Sequence, residues 1–544
     1  MQHRACALAL TLLAAGCAPL PPAPEALPSA DLSPVPAQPK PQGLATDWHQ
    51  GAFMEIFVRG YQDSDGDGVG DLPGLISRLD YLKELGITGL WLMPVTASQD
   101  HDHGYATTDF RAIERDYGTL ADFDRLLQEA HKRGIGVIVD YVVNHSSYAH
   151  PLFQAALKDP KHPQRDWFVW SEDAPQGWDI WGKYPWYWVG QQPWTWTGEV
   201  KDMPLAPPGS KDFYFGTFGP HMPDFNLKNP AVLDWHLSNL RFWLNRGLDG
   251  FRLDAVPHLV ETSAKEWNDQ PESRRLTKRL FDTISAYPGR YTVCEATAEP
   301  QAYSSPDVCG SAFAFGLERA ILDAVKGKTE AVADIGRFFQ TRPHRMATML
   351  ANHDIFAGAR IWDQLTGDEA RYKLAAASYL LQPGIPFIYY GEEVGLAGVA
   401  GLPGDGPIRG PMSWDTGAHA GFSVAKPFRA NASNAASHHA QAQQADPNSL
   451  FHHYRSLLAL RQQQRALRGG SYEAVQVDGP VLSFMRRSGG ETLLVALNYS
   501  STPRELRRTE RSAGAKRLWP TPTPASNLPE GMLPAWSAQV WRLN

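Results

Sequence analysis

Four acidic residues stand at the ends of apolar runs, where a carboxylate is expensive to bury: Asp140 in GVIVDYVV, Asp254 in GFRLDAV, Glu295 in YTVCEA and Asp354 in TMLANHD. A single acid in such a place is commonly a helix cap or half of a core ion pair. Four of them at the same end of four separate runs are hard to explain that way. Carboxylates gathered at one point do acid–base and nucleophilic work. Arg252 lies two residues before Asp254, His145 five after Asp140, and His353 beside Asp354. A neutral imidazole both donates and accepts hydrogen bonds, which suits ligands rich in hydroxyls.

The elements that must position these residues alternate. FMEIFV, ITGLWLMP and GVIVDYVV read as short strands, and each of the first two is followed by an amphipathic stretch, LPGLISRLDYLKELG and LADFDRLLQEAHKRG. Helix after strand, repeated, argues for parallel strands joined by right-handed crossovers. After a Trp-, Pro- and Gly-rich interval the rhythm returns. A helix over AVLDWHLSNLRFWLNRG leads into strand four, LDGFRLDAV. YTVCEA, SAFAFGL, RMATMLANHD and GIPFIYYGEE supply strands five to eight. The fold class expected is α/β, a (β/α)8 TIM barrel, whose catalytic groups belong at the C-terminal ends of the strands. VLSFMRR, TLLVALNYS and AQVWRLN have no helices between them and predict a C-terminal antiparallel β-sandwich.

The expected organisation is a signal segment over 1–17, a Pro-rich tether over 18–45, and the first part of the barrel over 46–145. A small inserted domain over 146–221, the rest of the barrel over 222–468 and the β-sandwich over 469–544 follow. Small residues before Cys17 resemble a bacterial lipoprotein signal, which implies an exported protein held at a membrane, on the periplasmic face or the cell surface, by lipid on Cys17. If Cys17 is lipidated, Cys294 and Cys309 remain in the folded part, and two buried free thiols are expected of them. The net charge of −7 comes without any long basic run and argues against nucleic acid as a partner. Of the 18 tryptophans many fall between Trp167 and Trp196, where flat amphipathic rings serve either as core or as platforms for sugar faces.

DYVVNH, GFRLDAVPH, the Glu of VCEAT, and ANHD resemble, in order and spacing, the four signatures of the α-amylase family of glycoside hydrolases. MPDFN, Met222 to Asn226, resembles a fifth. The resemblance covers nearly the whole chain past the tether and implies a retaining enzyme that acts on α-glucans or maltooligosaccharides; a monomer is expected. It implies Asp254 as nucleophile, Glu295 as general acid/base and Asp354 as a stabiliser of the transition state. Glycoside cleavage needs this set, because an acid must protonate the leaving oxygen while a carboxylate meets C1. It further implies that Arg252 keeps Asp254 ionised, and that Tyr105, His145 and His353 line the sugar before the cut. His258 would lie just beyond it, with Pro257 in place of a frequent lysine. In DSDGDGVGD, Asp63, Asp65, Asp67 and Asp71 with the Val69 carbonyl offer hard oxygen ligands suited to Ca2+. Gly74 stands where an EF-hand would carry Glu, and the loop resembles the calcium loop of bacterial oligoglucosidases. Asn144 matches a second calcium position, and no organic cofactor is implied.

IRGPMSW and AGFSVAKPF resemble a segment shared by α-glucosidases, trehalose synthases and an intermediate amylase subgroup. Exo-acting relatives carry Asp after the Tyr of the GY motif and pair it with an Arg to clamp a terminal glucose. Here that place is Ala106, while Arg409 matches the Arg. A clamp without its carboxylate implies endo-cleavage of starch. Exo-acting or transferring enzymes, such as an α-glucosidase, glucanotransferase or trehalose synthase, are the alternative, and a non-catalytic sugar-binding protein is the third reading.

Overall fold

The computed structural model describes residues 29–99, 103–195, 198–199, 203–506, 515–520 and 531–543. The signal segment, Cys17 and the first part of the tether lie outside them. Eight parallel strands close into a barrel: β1 (Phe53–Ile56), β2 (Gly89–Leu92), β3 (Gly136–Tyr141), β4 (Gly250–Leu253), β5 (Tyr291–Cys294), β6 (312–313), β7 (Ala347–Thr348) and β8 (Ile385–Tyr389). Strand β8 pairs back onto β1 through Phe53 and Phe387, which completes the ring. The sixth and seventh strands are much shorter than their alternating sequences predict. β6 makes only single bridges, Cys294 to Ala312 and Phe313 to Ala347. Gly316, at φ +99°, ends the extended run and starts the helix Leu317–Val325.

Side chains alternate across each strand, so residues two apart share a face. Phe53, Trp91, Ile138, Val293, Phe313 and Phe387 form one apolar cluster, which Trp48 joins. One step toward the C-terminal ends the chemistry of that same face changes. Glu55 follows Phe53, Asp140 follows Ile138, and Glu295 follows Val293, all buried. The apolar layer therefore forms a floor, and a ring of charged groups stands on it. A second, much larger cluster joins the outer strand faces to the surrounding helices.

The inserted region has secondary structure of its own. The helix Pro151–Lys158 precedes a three-stranded antiparallel sheet in which Phe213–Phe215 lies between Trp170–Ser171 and the edge strand Trp186–Trp188. The chain closes with a five-stranded antiparallel sheet built from Glu473–Asp478, Val481–Ser488, Glu491–Asn498, Lys516–Trp519 and Ser537–Leu543, beside a two-stranded one.

Two expectations are corrected. Cys294 and Cys309 form a disulfide. Cys294 ends β5, and its pairing with Ala312 draws the segment before β6 alongside, leaving the two Cα atoms 6.3 Å apart. Residues 29–43, expected as part of a free tether, lie on the barrel. Arg111 pairs with Asp31 at 2.8 Å and donates to the Ser33 carbonyl. The Trp235 indole donates to the Asp31 carbonyl, and the Asn245 amide to that of Pro36. A Pro-rich segment cannot build a core, but its unpaired carbonyls are open to side-chain donors.

Candidate active site

Strand register brings the charged groups together. Arg252 of β4 lies opposite Asp140 of β3 and Val293 of β5, with its side chain on the inner face. From there its guanidinium reaches three carboxylates. Nη1 bonds Asp140 Oδ1 at 2.8 Å and also Asp254 Oδ1, while Nη2 lies 3.1 Å from Glu295 Oε2. Arg252 is 1% exposed and sits over the ring of Trp91. The backbone turns sharply after Asp254. Ala255 takes a left-handed conformation at φ +48°, and its N–H donates to Glu295 Oε2 at 3.0 Å. Asp254 and Glu295 are thus held within the span of one guanidinium and one peptide.

A second group completes the mouth. Tyr105 Oη donates to Asp140 Oδ2 at 2.8 Å and lies 2.6 Å from His353 Nε2. His353 Nδ1 is 2.6 Å from Glu55 Oε1, and its Nε2 is 3.2 Å from Asp354 Oδ2. Burial pushes the Glu55 carboxyl well up, helped by Asp354, and pulls the His353 imidazole well down, helped by Arg409. The same Glu55 oxygen accepts from the His353 backbone N–H at 3.2 Å. Arg409 bonds Asp354 Oδ1 and Asp405 Oδ2, each at 3.0 Å, and donates through Nε to the His353 carbonyl.

Burial raises every mouth carboxylate for which a shift is resolved. Asp140 is pushed up to about 6 against the pull of Arg252, and Asp354 to about 7 against Arg409. Asp254 rises well above the usual carboxylate range from burial, with Arg252 opposing. His145 is held down to about 3 and His258 to about 4, both by burial, so both imidazoles are neutral. The two rings flank Phe218, and His258 lies against Trp267 and Trp181. His258 Nδ1 has no hydrogen-bond partner among the described residues. It fits a hydroxyl that a ligand would bring.

The structure thus brings together Asp254, Glu295, Asp354, Tyr105, Arg252, His353 and Arg409, with His145 and His258 on an adjoining aromatic wall. Sequence reasoning missed Glu55 and Asp405. Glu55 did carry a signal, as the one charge in FMEIFV. Asp405 lies in a Gly/Pro-rich loop, and only its position four residues before Arg409 hints at a role. Arg409 does not lack a carboxylate, as expected from Ala106, because Asp405 supplies one. Ala106 itself is fully buried.

In the Asp-rich loop, Asp63, Asp65 and Asp71 have carboxylate oxygens within 4.8 Å of one another. Asp67 is not part of this group; its carboxylate accepts from the Val69 N–H at 2.7 Å. Three hard oxygen donors at this spacing fit one Ca2+. Asp63 also accepts from Ser423 Oγ at 2.5 Å, and its N–H donates to the Phe422 carbonyl. Asn144 supports the buried carboxylate of Asp224 with its amide.

Comparison with known proteins places this arrangement. The family profile described as alpha amylase, catalytic domain, matches residues 55–470. The chain is 32% identical over 507 residues to the trehalose synthase/amylase TreS of Mycobacterium tuberculosis, covering 84% of this chain and 82% of that one. It is 32% identical over 471 residues to alpha-amylase 3 of Dictyoglomus thermophilum, covering 84% and 86%. Among solved structures, the trehalulose synthase MutB from Pseudomonas mesoacidophila superposes with a TM-score of 0.78 at 25% identity, over 91% of this chain and 99% of that one. The chain belongs to the α-amylase family of glycoside hydrolases.

Proposed function

We propose that the enzyme cleaves α-glucosidic bonds with retention, works from the end of an α-glucoside chain, and passes the glucosyl unit to water or to another sugar. In the first half-reaction Asp254 attacks C1 while Glu295 gives its proton to the glycosidic oxygen. The bond to the leaving sugar breaks as the bond to Asp254 forms. Glu295, now a carboxylate, then takes a proton from water or an acceptor hydroxyl whose oxygen displaces Asp254. Asp254 and Glu295 lie on one guanidinium, which suits the close spacing of a retaining pair, about 5–5.5 Å, rather than that of an inverting one. Asp354, Tyr105 and His353 are placed to bind hydroxyls of the reacting ring.

The observation that carries the end-on choice is the Asp405–Arg409–Asp354 cluster, one guanidinium held between two acids beside the reacting carboxylates, which can grip a terminal ring. The trehalose synthase and trehalulose synthase among the similar proteins support transfer. The endo-acting reading, first drawn from Ala106, keeps support in the amylase from Dictyoglomus and in the amylase activity named for TreS. Early products from maltotriose, soluble starch and trehalose decide between them. Glucose with transfer products from maltotriose is expected. A rapid fall in starch viscosity with mixed maltooligosaccharides, and no glucose, would replace the end-on reading with internal cleavage.

We further propose that Asp63, Asp65 and Asp71 hold Ca2+. An ion that binds only the folded state stabilises it by mass action, about 2.7 kcal/mol at a hundred times its Kd. Chelation is expected to lower Tm, and added Ca2+ to restore it, with the Asp65→Asn variant losing the response. The segment around Phe422 and Ser423 should open to proteolysis first, since the loop anchors it. An unchanged melting curve after verified metal removal would leave the loop a hydrogen-bonded turn.

A further inference from the structure

The described residues expose nine large apolar side chains, and four of them fall within one short stretch of the inserted domain: Trp181, Tyr184, Trp188 and Trp194. Tyr184, Trp188 and Trp194 line an open cavity of about 410 Å³ together with Trp186, Lys183 and Gln191. None of these residues belongs to the catalytic mouth. A small domain needs aromatic rings for its core, and Trp186, packed with Phe215 and Ile180, serves that purpose. The exposed rings contribute little to it. Clustered exposed rings mark a place where something binds.

Two of the rings are held rigid. Trp188 donates from Nε1 to the Ser210 carbonyl at 3.2 Å. Gly190 packs against the same ring so closely that a Cβ there would meet Cζ2 at 2.4 Å. With one side backed by Gly190 and its edge pinned, Trp188 is still 46% exposed. Tyr184 is fixed by a bond from its hydroxyl to the Pro175 carbonyl at 2.8 Å. Trp186, which also lines the cavity, has a buried Nε1–H with no acceptor among the described residues. Rigid rings bind without loss of side-chain freedom. Lys183 and Gln191 also line the cavity, so its wall combines apolar faces with polar groups, as the surface of a pyranose chain does.

The position is also suggestive. The turn from Ile180 to Lys183 carries Trp181 at its tip, and Trp181 packs on His258 at 5.2 Å. Lys183, two residues on, belongs to the cavity. One turn therefore joins the cavity to the wall where the leaving sugar would sit. We propose that this aromatic cavity is a second carbohydrate site, which holds the far units of an α-1,4-linked glucan whose end lies in the mouth. It rests on the α-glucosidic reading above.

Retardation in gels containing amylose tests the site, run with Asp254→Asn protein so that the ligand is not consumed. Adding Tyr184→Ala and Trp188→Ala should weaken retention roughly tenfold, the equivalent of two stacking contacts. The retention that remains measures the mouth. In otherwise wild-type protein, the same pair should lower the ratio of kcat/KM on maltoheptaose to that on maltose. Trp188→Tyr keeps a ring and should keep most of the retention, whereas Gly190→Ala pushes the ring aside and should not. Unchanged retention and chain-length preference in the double variant would overturn the site. So would ring-dependent self-association in sedimentation without amylose binding, which would make this face a contact between copies. If neither sugar is turned over but retention still depends on the rings, the activity reading fails and the site stands.

Discussion

Asp254→Asn, Glu295→Gln and Asp354→Asn are each expected to lower kcat on an α-glucoside by at least about 10³-fold while leaving the fold intact. Each change removes one charge or one transferable proton and almost no volume, so packing is unaffected. The neighbours that hold the side chains remain: Arg252 keeps Asp140, and Arg409 keeps Asp405. Stability separates a catalytic role from a structural one. Burial raises the Asp354 carboxyl to about 7, so the folded state binds this proton more tightly than the unfolded chain does. Its contribution is fully present below the unfolded value, near 4, and is lost as pH rises through about 7. An amide does not titrate. The Asp354→Asn protein should therefore melt at or above the wild-type temperature at pH 8, with a flatter dependence between pH 4 and 7. A correctly folded amide variant that retained near wild-type turnover would refute the role assigned to that residue.

Much of this site could be read from the chain because a parallel barrel converts position along a strand into position in space. An acid that ends an apolar run faces the mouth, and four such runs converge there. Arg252 was legible for the same reason, two residues before Asp254 on the same face. What was not legible depends on which elements become neighbours. Glu55 is one acid in one strand until β1 closes beside the segment that carries His353. The disulfide needs β5 and β6 to be adjacent, and SAFAFGL alternates like a full strand although the chain turns into helix after Phe315. Proline-rich composition says that residues 29–43 form no core of their own, but not that Arg111, Trp235 and Asn245 offer donors to their carbonyls. The Ala106 substitution suggested an incomplete clamp. Only the loop's path shows that Asp405 lies on Arg409.

Arg252→Met should be the most damaging single substitution in the molecule, for folding as much as for turnover. Methionine fills most of the volume against Trp91 but leaves Asp140, Asp254 and Glu295 around a site with no positive charge. Removing one partner of a buried ion pair costs about 3–5 kcal/mol, because the charges left behind have lost both water and counterion. The protein can relieve this only by protonating carboxylates. Asp140 and Asp254, already raised by burial with Arg252 opposing, must rise further. The folded variant then binds protons more tightly than wild type, so its stability is greatest at low pH and falls as pH rises through the new values. The Tm deficit relative to wild type should be small near pH 5 and large at pH 8. The acid limb of kcat/KM on maltose should move upward in pH, since the nucleophile must lose its proton to act. Arg252→Lys, which returns one charge but cannot reach three carboxylates at once, should fall between the two in both measurements. A methionine variant that melts within about 1 °C of wild type at pH 8, a shift worth about 1 kcal/mol in a protein of this size, would show that Arg252 does not hold these carboxylates together.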